Sequence, residues 1–173
     1  MKKLIVMLLC AAMLLCITAC GGPNSNPTDS QPAGDSGNPD EPSFSFTYQG
    51  TEIALHAPAE PIIAALGEPK SYSESTSCAF EGLDKSYGYG SFYLETYPKG
   101  DKDFVYGWWF VDDMVETEEG ICIGSAQADV EKAYGSENFN GTNSFVIKRG
   151  SGVLTIILDK GTVTSIQYTI VTE

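Results

Sequence analysis

The sequence predicts an α+β fold made of two repeated units, each a short helix or helices packed on one face of a mainly three- to four-stranded antiparallel sheet. Three observations carry this expectation. Residues 53–67 and 121–135 align when shifted by 68 positions, so that Ile53 meets Ile121, Ile62 meets Val130 and Gly67 meets Gly135. Each copy reads as a short strand, a short helix and a glycine stop, and self-similarity at a fixed period is the signature of a repeated folding unit. Beyond each copy, apolar and polar residues alternate with the period of two that marks strands.

In chain order, Phe44, Phe46 and Tyr48 alternate with polar residues, Gln49-Gly50 makes a turn, and Glu52 to Leu55 returns as a second strand. Pro58 suits the first helical position and Pro61 still falls in the first turn. Ile62, Ala65 and Leu66 form one apolar face, Gly67 stops the helix and Pro69 prevents its continuation. Ser77 to Leu83 reads as a strand, Gly82 to Ser86 as a turn, Tyr87 to Tyr97 as one long strand, and Phe104 to Val111 as the strongest strand. In the second unit Ser125 is the expected N-cap, with Val130, Ala133 and Tyr134 as the buried stripe and Gly135 as the stop. Three strands follow, Asn143 to Lys148, Val153 to Leu158 and Val163 to Val171, joined by turns at 149–152 and 159–161. The organisation expected is therefore 1–19 leader, 20–43 tether, 44–113 first unit and 114–173 second unit.

The expected leader begins with Met1-Lys2-Lys3, a short positive start, followed by an apolar run from Leu4 to Ile17. That run is shorter than the ~20 residues a membrane span needs, which makes it a signal-peptide core. Ile17-Thr18-Ala19-Cys20 resembles the lipobox of bacterial lipoproteins, with Ile17 where Leu is commonest. The resemblance implies cleavage before Cys20, a diacylglyceryl anchor on its thiol, and a location outside the cell membrane. Residues 21–43 are rich in Gly, Pro, Asn, Ser and Asp and carry no basic residue. Such a composition cannot bury enough apolar surface to fold and reads as a flexible tether with a reach of roughly 25–30 Å.

The stretch Thr117-Glu-Glu-Gly-Ile-Cys-Ile-Gly124, the Val130…Tyr134-Gly135 stop and the closing Gly161-Thr-Val-Thr-Ser-Ile-Gln-Tyr168 resemble tandem-repeat lipoproteins of Gram-positive bacteria. The units of those proteins are similar to the beta-lactamase-inhibitory-protein fold, to which the small outer-membrane assembly lipoproteins are related. The resemblance implies small helices on one face of an antiparallel sheet in each unit, and protein binding or an unassigned envelope role. His56-Ala57 stand where Gly124-Ser125 stand in the second unit.

The chain has 10 basic and 23 acidic side chains, a formal charge of −13. Loss of residues 1–19 removes two lysines and no acid, leaving 8 basic residues against 23 acids. This surface disfavours nucleic acid, whose affinity comes mainly from neutralising phosphates. The single histidine, His56, has no serine motif and no second histidine beside it, so neither a triad nor a zinc centre is expected. Asp101, Asp103, Asp112 and Asp113 lack calcium-loop spacing. Gly88 and Gly90 lie in a strand with no helix after them, unlike a phosphate cradle. No cofactor, metal or catalytic set is expected. Cys10 and Cys16 fall in the leader and Cys20 is the expected lipid site, leaving Cys78 and Cys122, one per unit. A disulfide between them and two separate small thiols are both compatible with an oxidising compartment, and sequence leaves the choice open.

The aromatics give the sharpest functional expectation. Alternation in 104–111 puts Trp108 and Phe110 on the core face with Ile166 and Tyr168, and Trp109 on the other face with Gln167. Phe92 and Leu94 suit the core, so Tyr87, Tyr89 and Tyr93 are expected beside Trp109. An open sheet face of three tyrosines and a tryptophan has the composition of a protein-recognition surface. The expected role is a lipid-anchored, non-enzymatic module that holds a protein or peptide. The alternative is an envelope hydrolase or small-ligand-binding protein that uses converging acids.

Overall fold

Residues 43–171 are described by a computed structural model of the chain. The leader, Cys20 and the tether up to residue 42 lie outside the described residues.

Alternation in residues 44–55 produces a small hairpin of β1 (Ser45–Tyr48) and β2 (Thr51–Ala54), in register with Phe46 opposite Ile53. Gln49 and Gly50 both take positive φ, +50° and +84°, the backbone that a two-residue hairpin turn requires. The helix α1 (Ala59–Leu66) follows, entered through Pro58 and closed by Gly67, whose amide donates to the Ile63 carbonyl at 3.1 Å. Its buried residues are Ala59 and Ile62.

Seven further strands form one antiparallel sheet. They are β3 (Ser71–Thr76), β4 (Leu83–Gly88), β5 (Phe92–Lys99), β6 (Lys102–Phe110), β7 (Ser144–Arg149), β8 (Gly152–Asp159) and β9 (Thr162–Ile170), with spatial order β3-β4-β5-β6-β9-β8-β7. The helix α2 (Gln127–Tyr134) lies between β6 and β7 in the chain and buries Val130 and Tyr134.

This overturns the expected fold class. The described residues are mostly strand, with two α-helices in all, and there is no pair of separate helix-on-sheet units. The cause is the pairing of β6 with β9, Trp108 opposite Tyr168, which runs one ladder through both halves. At Gly107 the strands approach so closely that a Cβ would lie 2.0 Å from the Tyr168 carbonyl oxygen. Beyond the end of β9, the free side of β6 is completed by the residues that lead into α1. The His56 amide donates to the Val105 carbonyl at 3.0 Å, and the Val105 amide donates to the Ala57 carbonyl at 2.9 Å.

Three local expectations also change, the first being the turn expected from Gly82 to Ser86, where β4 runs instead from Leu83. Residues 77–82 form a turn, in which the Ser77 amide donates to the Gly82 carbonyl at 3.0 Å and the Ser77 hydroxyl accepts from the Phe80 amide at 3.1 Å. The strand lies earlier, at β3, where every residue is exposed. Ser125 does not cap α2: its hydroxyl accepts from the Cys122 amide at 3.0 Å, and Ala126 occupies the cap position.

In an antiparallel ladder, directly opposed residues share a face. One face therefore carries Leu94, Trp108, Tyr168 and Leu154 in a row, all buried. The β1–β2 hairpin covers this face through Phe46, whose ring lies 5.2 Å from Phe92 and 5.1 Å from Phe110. Phe44 meets Tyr168 edge-on at 5.2 Å. Burying such large rings removes on the order of 150–250 Å² each from water and dominates the core. The opposite face carries Tyr93, Trp109, Gln167, Thr155 and Val146 in one row, and each of these is half-buried or exposed.

Candidate functional site at the aromatic end of the outer face

The four aromatics expected together divide between the two faces. Tyr93 and Trp109 are direct cross-strand partners on the outer face, their rings stacked at 5.1 Å and 30°. Tyr87 is opposite Leu94 and therefore on the core face, half-buried, with its ring 5.2 Å from Tyr72. Tyr89 is also withdrawn: it is 7% exposed and stacked on Phe92 at 5.3 Å. The reason is the reversal between β4 and β5. The Tyr89 amide donates to the Phe92 carbonyl at 2.9 Å, and Gly90 takes a φ of +98°, so residues 87–97 are not one strand. Gly88 pairs with Tyr93 and Tyr87 with Leu94, which exchanges odd and even positions across the turn.

Two acids complete the surface. Glu95 lies two residues after Tyr93 on the same face, opposite Ser86 on one side and Gly107 on the other. Asp84 shares that face two residues before Ser86, with Ser75 as its partner on β3. These residues surround a depression of about 570 Å³ lined by Tyr93, Trp109, Glu95, Asp84, Ser73, Ser75 and Ser86, with Glu74 and Lys85 also on its wall. Glu95 Oε1 and Asp84 Oδ1 are both shut away from solvent without a hydrogen-bond partner. Burial raises the Glu95 carboxyl above the usual carboxylate range, aided by the charge of Asp84 and opposed by a hydrogen bond from Ser86. An unpaired carboxylate oxygen out of water is costly, and most buried polar atoms avoid that state.

The nearest cation is already committed. Lys85 Nζ donates to Asp103 Oδ2 at 2.6 Å, and the residues opposite Lys85, Glu74 and Thr96, lie on the core side. That ion pair borders a separate groove of about 630 Å³ between α1 and Tyr87.

His56 lines a third hollow of about 410 Å³ with Phe80, Tyr97, Lys99 and Ile170. It adopts a φ of +61°, uncommon for a residue with a side chain. The strain serves the ladder, because this backbone turns the chain from β2 onto β6. Its Nδ1 sits 3.1 Å from the Tyr97 hydroxyl, and burial together with Lys99 lowers its pKa, keeping the ring neutral near pH 7.

Cys78, exposed in the 77–82 turn, and Cys122, half-buried before α2, are free thiols rather than a disulfide. Among the described residues no group of three His, Cys, Asp or Glu side chains is placed to hold a metal ion. Comparisons with protein-family models, curated proteins and solved structures give no match, so the functional reading rests on geometry.

Sequence reasoning placed Tyr93 and Trp109 but overlooked Asp84 and Glu95. The signal for Glu95 was present, since it has the same parity as Tyr93 in a strand whose even positions are core. Asp84 carried no such signal, because its strand begins only at Leu83.

Proposed function

We propose that the chain is a lipid-anchored binding module of the bacterial cell envelope, tethered through Cys20 and holding a protein or peptide at the Tyr93–Trp109 end of the outer face. The observation that carries this reading is the stacked, half-buried aromatic pair, on a sheet face whose row is half-buried or exposed throughout, beside two carboxylate oxygens with no internal partner. Aromatic rings at the centre of a polar rim are the usual anchors of protein interfaces. The lipobox-like 17–20 and the apolar run before it support the anchor. No helix among the described residues is long and apolar enough to cross a membrane.

Both parts are testable in cells. Cys20→Ala should move the protein from the membrane fraction to the soluble or unprocessed fraction; unchanged membrane association would overturn the anchor. Tyr93→Ala with Trp109→Ala should abolish cross-linking to the partner held by the intact protein, with only a few degrees lost in Tm. Retained capture with a large fall in Tm would make these residues part of the core instead.

A second reading, hydrolysis by an acid pair, is favoured by the raised carboxyl of Glu95 beside Asp84. Raised carboxyls flanked by a second acid are the usual general-acid arrangement. It requires turnover of a glycan or peptide that Glu95→Gln abolishes without loss of binding; equal turnover in that variant would exclude it.

A further inference from the structure

Resting on the reading of the outer face as a recognition surface, we propose that it receives an arginine side chain carried by a segment of a partner protein. The depression presents three requirements at once: two carboxyl groups on its wall that can accept N–H donors, a negative charge that needs compensation, and a flat stacked ring pair that needs a flat partner. A guanidinium satisfies all three. It carries five N–H donors in one plane, keeps its charge at any physiological pH, and stacks on aromatic faces.

Other occupants meet fewer of these needs. An anion would face Glu95 and Asp84 with no free cation beside it, since Lys85 is paired with Asp103. A neutral apolar group would cover the rings but leave the charge of the two acids uncompensated, which costs more once water is excluded from the depression. A lysine ammonium supplies charge and donors from a single point and cannot both stack on Trp109 and bridge two carboxylates.

The arginine must come from outside this chain's own tether, because residues 20–42 contain no basic side chain. The chain's one arginine, Arg149, is held elsewhere: its guanidinium bonds Glu119 Oε1 at 3.0 Å and lies 4.7 Å from the centre of the Phe44 ring. The way in from the sheet edge is open. Every residue of β3 is exposed, and its residues on the outer face are Ser71, Ser73 and Ser75, which are short enough for a long side chain to pass over.

The test uses the full mature chain and fluorescein-labelled hexa-arginine, followed by anisotropy, with hexa-lysine and hexa-citrulline alongside. Hexa-arginine should bind, hexa-citrulline should not, and hexa-lysine should bind about fivefold or more weakly, since it matches the charge without the plane. Glu95→Gln and Trp109→Ala should each weaken hexa-arginine about tenfold or more, as expected for loss of a charge-assisted bond or a stacked cation. Asp159→Asn, an exposed acid far along the sheet, should change it less than about twofold. Equal binding of the lysine and arginine peptides, or an equal loss in Asp159→Asn, would reduce the effect to general surface charge and overturn the proposal. Glu95→Gln preserves shape, so a Tm no lower than the parent's excludes unfolding as the cause. If the arginine preference fails while Tyr93- and Trp109-dependent capture persists, the arginine inference alone falls. If both fail, the recognition reading falls with it.

Discussion

One row of residues crosses the whole outer face, and its two ends differ. On β8 and β7 the row holds Thr155 and Val146, and the adjacent row holds Val153 and Lys148, which is what a wet antiparallel sheet normally presents. On β5 and β6 the same rows hold Tyr93 and Trp109, then Glu95 opposite a glycine, with Asp84 alongside. Both ends belong to one antiparallel sheet with the same kind of strand pairing, so pairing alone does not explain the difference. Sheet stability explains it no better, because two unpaired carboxylate oxygens are a cost that the plain end avoids. Chemistry concentrated at one end of an otherwise ordinary face, against the interest of the fold, is the pattern of a binding surface.

The adjacent tryptophans test this contrast within two residues. Trp108→Ala, which removes a fully buried ring, should cost about 3–5 kcal/mol in chemical denaturation. Trp109→Ala should cost about 1 kcal/mol or less, the loss of one cross-strand ring pair. Similar losses for both would place Trp109 in the core.

Gly107→Ala should come next, destabilising by about 1–3 kcal/mol, because its Cβ would meet the backbone of β9 rather than a movable side chain. A neutral result in thermal unfolding would show that the β6–β9 junction is looser than its geometry.

Glu95→Gln should act in the opposite direction. A carboxyl whose folded pKa is raised binds its proton more tightly in the native than in the unfolded state. Stability therefore falls as pH rises from the ordinary carboxylate range through the raised folded value. The glutamine variant should be more stable than the parent by about 1 kcal/mol above the raised folded value, where the buried charge is present, and equal to it near pH 3. A parent more stable than the variant above that value would mean that the Ser86 hydrogen bond outweighs the cost of burying the charge.

Much of this architecture was legible in the residues. Alternation located β1, β2, β6, β8 and β9, and glycine with positive φ located the ends of α1 and α2 and the tight turns, because those signals are local. What sequence could not supply was long-range. The β6–β9 pairing joins residues about sixty positions apart, and without it two similar stretches read as two separate units. β3, Ser-Tyr-Ser-Glu-Ser-Thr, is solvated on both faces and so has no apolar alternation to detect. The aromatic cluster was assigned by parity through an unseen turn, and one reversal at Gly90 moved Tyr87 and Tyr89 to the other face. Tyr93 and Trp109 survived because their parity was fixed by Leu94 and Trp108 within their own strands.

The most direct test places a photo-activated cross-linking residue at position 93 in one full-length variant and at Thr155 in another, and compares their adducts in intact cells. A discrete adduct should form from position 93 and be competed away by free hexa-arginine, and none should form from position 155. Equal adducts from both positions, or an adduct from 155 alone, would contradict the claim that recognition belongs to the aromatic end of the face.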